Sequence, residues 1–170
     1  MESVFTLRCT QKLLKRLRAK PALAPSPSMT VLGDWYANYL TVRRRHLVLC
    51  CCDRTFLPIV LEARDLASLV PRLRASLVEV LRLLVVPEPQ IDDELAIMNE
   101  AVIAKTASRS VLGIMNDYAL AIEYRDEAAS LHDFSLFLSH TPLFASTPQA
   151  VWPDAATRVA FEEAARSLAQ

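Results

Sequence analysis

The chain has 170 residues, of which 52% are hydrophobic and 22% are charged. This composition is typical of a globular domain with its own core, and it excludes a disordered chain. No apolar run reaches the roughly 18–20 residues that span a bilayer, and the basic N-terminus lacks the apolar segment of a secretory signal. We therefore expect a cytoplasmic protein that has no membrane partner.

The net charge of zero conceals an uneven distribution of charged residues. Residues 1–54 contain ten Lys and Arg against three Asp and Glu, a net charge of +7, and the remaining residues carry −7. Such an excess either presents a basic face to an anionic partner or is cancelled when the two parts of the chain pack together. We expect the first outcome.

The first part of the chain predicts a strand, a short helix and a meander. Residues 4–8 alternate as in a strand, and a basic amphipathic helix follows with Thr10 at its N-cap. A flexible, exposed Pro- and Ser-rich connection near 21–30 leads to strands at 35–42, 46–52 and 55–61. Pro58 favours an edge position for the last strand, since proline cannot donate a ladder hydrogen bond.

The later part of the chain predicts helices around one short strand. A helix follows the apolar steps from Leu66 to Leu84, and a second helix has Asp92, Asp93 and Glu94 in its first turn. After the strand AVIAKT, the pattern predicts a helix over 108–125 and a short helix that contains His132 and His140. A terminal helix begins at Pro153, with Asp154 as its cap.

These elements predict an α+β fold in a single domain of residues 1–170. An antiparallel or mixed sheet combines the N-terminal strand with the central meander, and helices pack on it. The tail is helical.

Cysteines and glycines exclude several classes of site. Cys50, Cys51 and Cys52 are consecutive, so they point to alternate faces of a strand, and with Cys9 they form no CxxC motif. We expect no disulfide and no zinc. The chain has only two glycines, so glycine-rich nucleotide loops are absent and no cofactor is expected.

Four blocks resemble, in their order, a family of small uncharacterised bacterial proteins known only as a domain of unknown function. The blocks are LRCTQKLLKRL at 7–17, GDWYANYL at 33–40, RTFLPIVLEAR at 54–64 and AKTASRSVLGIMND at 104–117. The resemblance implies no activity. It directs attention to polar residues within the blocks, namely Lys12, Asn38, Lys105, Thr106, Ser108, Arg109 and Asn116.

The first candidate site is the passage from strand to helix at 102–119. If Ser108 caps the helix, the N–H groups of its first turn favour an anion, which Lys105 and Arg109 would flank. Asn116 lies two turns after Arg109 on the same face. The alternative is an ordinary capped helix with two solvated cations.

The second candidate site is the basic turn Arg43-Arg44-Arg45 together with the cations of the first helix. Arginine forks suit phosphates, and nearby Trp35, Tyr36 and Tyr39 could stack on bases. The alternative is a solvated loop that protects a sheet edge. The three arginines lie at a turn, where side chains have few neighbours, so replacing them with Ala should weaken nucleic-acid binding and leave thermal stability nearly unchanged.

Three functions are compatible with these features. The leading one is a protein that binds a nucleic acid or another phosphate-bearing ligand through its basic N-terminal half. The second is a protein-interaction module such as an antitoxin, immunity or accessory protein. The third is a metal-independent nuclease that uses His46, Arg44, Lys105 and Arg109. Asp92 and Asp93 suit a helix start better than a metal site.

Overall fold

The computed structural model describes residues 4–125, 129–144 and 148–170. Its strands are β1 (Val4–Cys9), β2 (Trp35–Val42), β3 (Arg45–Cys52), β4 (Pro58–Glu62) and β5 (Glu100–Lys105). Its helices are α1 (Gln11–Leu17), α2 (Leu69–Leu83), α3 (Glu88–Ile97), α4 (Arg109–Glu123), α5 (Leu131–Ser139) and α6 (Pro153–Leu168), with a 3₁₀ turn at Leu66–Ser68. The predicted α+β class is confirmed.

The five strands form one mixed sheet in the order β4-β3-β2-β1-β5. β2, β3 and β4 are the antiparallel meander, while β1 pairs in parallel with both β2 and β5. The four predicted strand regions therefore share one sheet. The last begins at Pro58 rather than residue 55, because Phe56 has a φ of 59° that interrupts the extended chain. Pro58 lies on an edge strand, as expected.

Helices cover the meander on both faces, because alternate strand residues point in opposite directions. Trp35, Ala37 and Tyr39 pack with α1, α2, α3 and α6, whereas Tyr36 and Cys51 pack with α4 and α5. All four cysteines are free and buried. Burial raises the pKa of the Cys9 thiol to about 12, so this thiol stays protonated and behaves as a small apolar group.

The predicted start of α3 is wrong, whereas α6 begins at Pro153 as predicted and only its predicted cap, Asp154, is wrong. α3 begins at Glu88, because Pro89 in its first turn is tolerated rather than disruptive, so Asp92, Asp93 and Glu94 lie beyond that turn. The N-cap of α6 is Trp152, followed by Pro153. Asp154 lies instead within the first turn, where it pairs with Arg158 at 3.2 Å.

The carboxylate of Glu94 has a different role from the predicted one. It is buried and accepts hydrogen bonds from the backbone N–H groups of Val31 (2.7 Å) and Leu32 (3.1 Å). Burial raises its pKa, and these two N–H groups oppose the shift by stabilising the charged form. Glu94 thus ties the segment before β2 to α3.

The connection near 21–30 is held at several points, contrary to the expectation of a flexible segment, although most of its residues are exposed, as expected. The Ala22 N–H donates to the Ile103 carbonyl (2.8 Å), which joins the segment to the free edge of β5. Buried Ser28 accepts a hydrogen bond from the Thr6 N–H through its hydroxyl (2.9 Å). The segment thereby satisfies strand N–H and C=O groups that would otherwise lack partners. Among the described helices, none is long and apolar enough to cross a membrane.

Candidate functional site

The carboxyl end of β1 brings several predicted site residues to one edge of the sheet. Cys9 is in register with Ala37 of β2 and with Lys105 of β5, so the ends of β1 and β5 lie side by side. Thr10 follows β1, and its hydroxyl donates to Oδ1 of Asn38 at 2.7 Å. Asn38 and Lys105 therefore belong to the same region.

Arg8 and Asp34 form the centre of this region. The Arg8 Nε atom lies 2.8 Å from Asp34 Oδ2, and the two side chains are only 19% and 12% exposed. A second guanidinium nitrogen of Arg8 donates to the Lys105 carbonyl at 3.0 Å. Asp34 Oδ1 also accepts from the Ser28 hydroxyl at 2.6 Å. This network joins β1, β5 and the start of β2, and we call it the Arg8 network.

Sequence reasoning missed the Arg8 network because its partners are distant in the chain. In the charge count of residues 1–54, Arg8 was only one of ten positive charges, and Asp34 was one of three negative charges. One local signal was present: Arg8 lies between buried Leu7 and Cys9 in a strand. A charge at such a position is held by a partner or serves a site, since burial of an unpaired charge is costly.

Tyr36 connects this region to the start of α4. Its buried hydroxyl accepts a hydrogen bond from the Ser108 N–H at 3.2 Å. Burial raises the pKa of Tyr36, and the nearby positive charge of Arg8 opposes that shift. The Ser108 hydroxyl accepts from the Val111 N–H at 3.2 Å, so the prediction that Ser108 caps this helix is confirmed.

The predicted anion site at the start of α4 is formed by exposed side chains. Lys105 and Arg109 are exposed and Thr106 is half-buried, and neither cation forms an ion pair with any described residue. Asn116 is exposed two turns further along the helix. That Lys105 and Arg109 share one anion stays a prediction.

The basic turn lies at the opposite end of α4. Arg43 donates from a guanidinium nitrogen to the carbonyl of Glu123, the last residue of α4, at 2.7 Å. A helix of 15 residues is about 22 Å long. Because Ser108 contacts Tyr36 at the other end, the two predicted anion sites are separate.

Two of the three turn arginines contact the helical layer, contrary to the expectation of few neighbours. Arg43 bonds α4 as described, and the Arg45 guanidinium carbon lies 5.8 Å from the centroid of the Phe134 ring in α5. Arg45 also donates to the Ala129 carbonyl at 3.5 Å. Arg44 is exposed. The helices reach the turn because α4 runs along β2 towards it.

Lys12 belongs to a third group, on the opposite face of the sheet from Tyr36. Its ammonium lies 5.4 Å from the centroid of the Tyr39 ring, and the Arg16 guanidinium carbon lies 3.8 Å from the same centroid. The Tyr39 hydroxyl contacts Nδ1 of His46 at 2.8 Å. We call these four residues the Tyr39 cluster. Lys12 therefore joins Arg16 rather than Asn38.

The residues considered for a nuclease do not come together. His46 is in register with Thr41, whereas the end of β5 at Lys105 is level with Ala37. These positions differ by about 13 Å along the strands and by three strand spacings, or about 14 Å, across the sheet. Arg109 follows Lys105 at the start of α4. The four residues therefore do not share one site: His46 and Arg44 lie at the turn between β2 and β3, and Lys105 and Arg109 lie at the start of α4.

Six exposed cations of the N-terminal third form no ion pair with a residue that the structure describes. Asp34 is the one acidic residue between positions 3 and 52, and it is occupied in the Arg8 network. No ion pair with a described residue is formed by six exposed side chains, namely Lys12, Lys15, Arg16, Arg18, Lys20 and Arg44. We call these six the basic surface.

In the later part of the chain, four cations are paired with acids of that same part. Four arginines lie within 4 Å of an acid nearby in sequence: Arg64 with Glu62, Arg82 with Glu88, Arg158 with Asp154, and Arg166 with Glu162. The two halves of the chain therefore do not cancel each other through ion pairs of the basic surface.

Comparison with known proteins identifies a family and no activity. The model of a domain of unknown function, DUF6933, matches residues 6–156, which agrees with the resemblance of the four sequence blocks. No curated protein and no solved structure matches the chain.

Proposed function

The chain belongs to the family DUF6933, a domain of unknown function, and we propose that it binds a nucleic acid or another phosphate-bearing ligand through the basic surface. The observation that carries this proposal is the absence of ion pairs from all six exposed cations of that surface to the described residues. In the rest of the protein, four acids lie beside arginines that are close to them in sequence. A polyanion would supply the missing negative charge.

The arrangement of the basic surface suits an extended ligand. Lys12, Lys15 and Arg16 occupy two turns of α1, and Arg44 lies in the turn that follows β2. Residues of α1 pack on Tyr39, and the turn begins four residues beyond it, about 13 Å along the strand. Cations spaced in this way can contact several phosphates of one short strand.

Stability gives no reason to leave these charges unpaired. An exposed ion pair contributes only about 0–1 kcal/mol to the free energy of unfolding, so its absence costs little. Neighbouring cations that lack acids nevertheless repel one another. The six cations form no ion pair with a described residue, so together they produce a positive potential. This potential attracts a polyanion and speeds its association. Binding of phosphates releases condensed counterions, which gives the affinity a steep salt dependence.

Direct binding measurements test the proposal. A short fluorescently labelled single-stranded oligonucleotide, as RNA and as DNA, is titrated with the protein at about 50 mM salt and followed by anisotropy. We expect saturable binding that weakens at least tenfold in the variant Lys15→Gln/Lys20→Gln/Arg44→Gln. The matched control is Arg64→Gln/Arg82→Gln/Arg166→Gln, which removes three exposed cations from paired positions.

The control variant should bind as tightly as the unaltered protein. If the unaltered protein binds neither RNA nor DNA at low salt, the proposal is wrong and the function as a protein-interaction module takes its place. If both triple variants lose affinity equally, binding depends on net charge rather than on the basic surface.

A further inference from the structure

We infer that the ligand of the basic surface is a single-stranded nucleic acid, one of whose bases stacks on the guanidinium of Arg16. The inference rests on the proposed function and names the substrate more narrowly. It starts from the Tyr39 cluster, where a planar cation already lies on an aromatic ring and has no acidic partner among the described residues.

Tyr39 is a fixed platform. Its ring is only 4% exposed and belongs to the core formed with α1 and α2. Its hydroxyl contacts Nδ1 of His46 at 2.8 Å. The Thr41 hydroxyl lies 3.4 Å from the same nitrogen. The ring therefore cannot turn without breaking this contact and disturbing the packing of the core.

Arg16 covers this ring and remains accessible. Its guanidinium carbon lies 3.8 Å from the ring centroid, which is the separation of stacked planar groups. Arg16 as a residue is exposed, and we infer that the side of its guanidinium away from Tyr39 is open to a ligand. Stacking on a fixed ring restricts a side chain that would otherwise lose much rotamer freedom when it binds.

A guanidinium plane restricted in this way is suited to an unpaired base. Arginine planes stack on unstacked bases in RNA recognition, and every base offers a π face, so such contacts tolerate many sequences. In a duplex the base faces are already covered by neighbouring pairs. The arrangement therefore selects single strands.

The neighbouring cations place phosphates beside the stacked base. The Lys12 ammonium lies 5.4 Å from the same ring centroid, and Lys15 precedes Arg16 on the exposed side of α1. Lys12 and Arg16 share one aromatic ring, so their positive charges are close together. A phosphate between them and Lys15 would offset their mutual repulsion.

The decisive experiment separates base contacts from phosphate contacts. Binding of an ordinary single-stranded oligonucleotide is compared with binding of one of equal length in which every base is replaced by an abasic site. The protein is expected to prefer the ordinary strand by about tenfold. Arg16→Lys keeps the charge but lacks the planar face, so it should lose this preference and retain the salt dependence.

Lys15→Gln is the matched control. It should retain the preference for bases and lower the slope of log affinity against log salt by about 0.7, the value for one phosphate contact of a single strand. Thermal unfolding of each variant reports whether it is folded.

The outcomes distinguish the inference from the proposed function. Equal binding of ordinary and abasic strands by the unaltered protein overturns the inference and leaves phosphate binding intact. A duplex of equal length that binds as tightly as the single strand also overturns it. If no oligonucleotide binds, the proposed function itself is wrong. A nucleoside monophosphate that competes as strongly as the strand identifies a small nucleotide as the ligand and contradicts the polymer.

Discussion

In the N-terminal third of the chain, six exposed cations have no acidic neighbour among the described residues, whereas four arginines of the later part lie beside acids close to them in sequence. Both arrangements are compatible with a folded protein, because exposed ion pairs contribute little to stability. The difference therefore concerns what each surface presents to other molecules. The first presents a positive potential, whereas the second combines locally paired arginines with a net charge of −7 over residues 55–170.

Buried polar groups distinguish the same two regions in another way. The N-terminal third buries one ion pair, Arg8 with Asp34, and the later part buries Glu94 against two backbone N–H groups. These groups hold the fold together and are not available to a ligand. Substitutions of buried and exposed charges should therefore affect stability and binding separately.

The largest effect on stability is expected for Glu94→Ala. Loss of the carboxylate leaves the N–H groups of Val31 and Leu32 without their acceptor, and Leu32 is fully buried. We expect a loss of about 3 kcal/mol in the free energy of unfolding, measured by urea denaturation. The adjacent exposed Asp93→Ala is the control and should change it by less than about 0.5 kcal/mol. Similar losses in both variants would show that Glu94 does not hold the 31–32 segment.

A somewhat smaller effect is expected from separating Arg8 and Asp34. Arg8→Met and Asp34→Asn should each cost about 2 kcal/mol, because each leaves a mostly buried partner without its counter-charge. The double variant should cost less than the sum of the two. The three free energies of unfolding form a double-mutant cycle, and strict additivity would contradict a direct interaction.

The turn arginines should divide into structural and binding residues. Arg43→Ala removes a hydrogen bond to the last carbonyl of α4 and should cost about 1 kcal/mol. Arg44→Ala should leave stability within about 0.5 kcal/mol and weaken oligonucleotide binding. Simultaneous replacement of Arg43, Arg44 and Arg45 is consequently expected to lower thermal stability. The sequence alone had predicted that it would leave thermal stability nearly unchanged. Equal stability of the two single variants would contradict this division.

The elements that could be predicted from sequence depend on local patterns. The meander was recognisable from three apolar segments separated by short turns, and the start of α4 from Ser108 before an amphipathic pattern. The start of α3 was missed because two prolines resemble a helix stop, although a proline in the first turn of a helix costs little. Local sequence patterns thus predicted which segments form helices and strands better than they predicted the residues at which these elements begin and end.

The candidate sites were harder to predict because they depend on which face each element covers. Lys12 and Asn38 each lie in a conspicuous sequence block, but they do not meet. Lys12 of α1 lies over the Tyr39 ring, whereas the Asn38 side chain accepts a hydrogen bond from Thr10. The partner of Arg8 is 26 residues away and that of Glu94 more than 60. Spacing along the chain carries no information on such pairs.

The salt dependence of oligonucleotide binding tests the central claim most directly. The slope of log affinity against log salt is measured between about 50 and 200 mM for the unaltered protein, for Lys15→Gln/Lys20→Gln/Arg44→Gln and for Arg64→Gln/Arg82→Gln/Arg166→Gln. The account predicts that the first triple variant lowers the slope by about 2, because three phosphate contacts are lost, while the second leaves it unchanged. Equal slopes for all three proteins would contradict the claim that the unpaired cations of the N-terminal third are the binding surface.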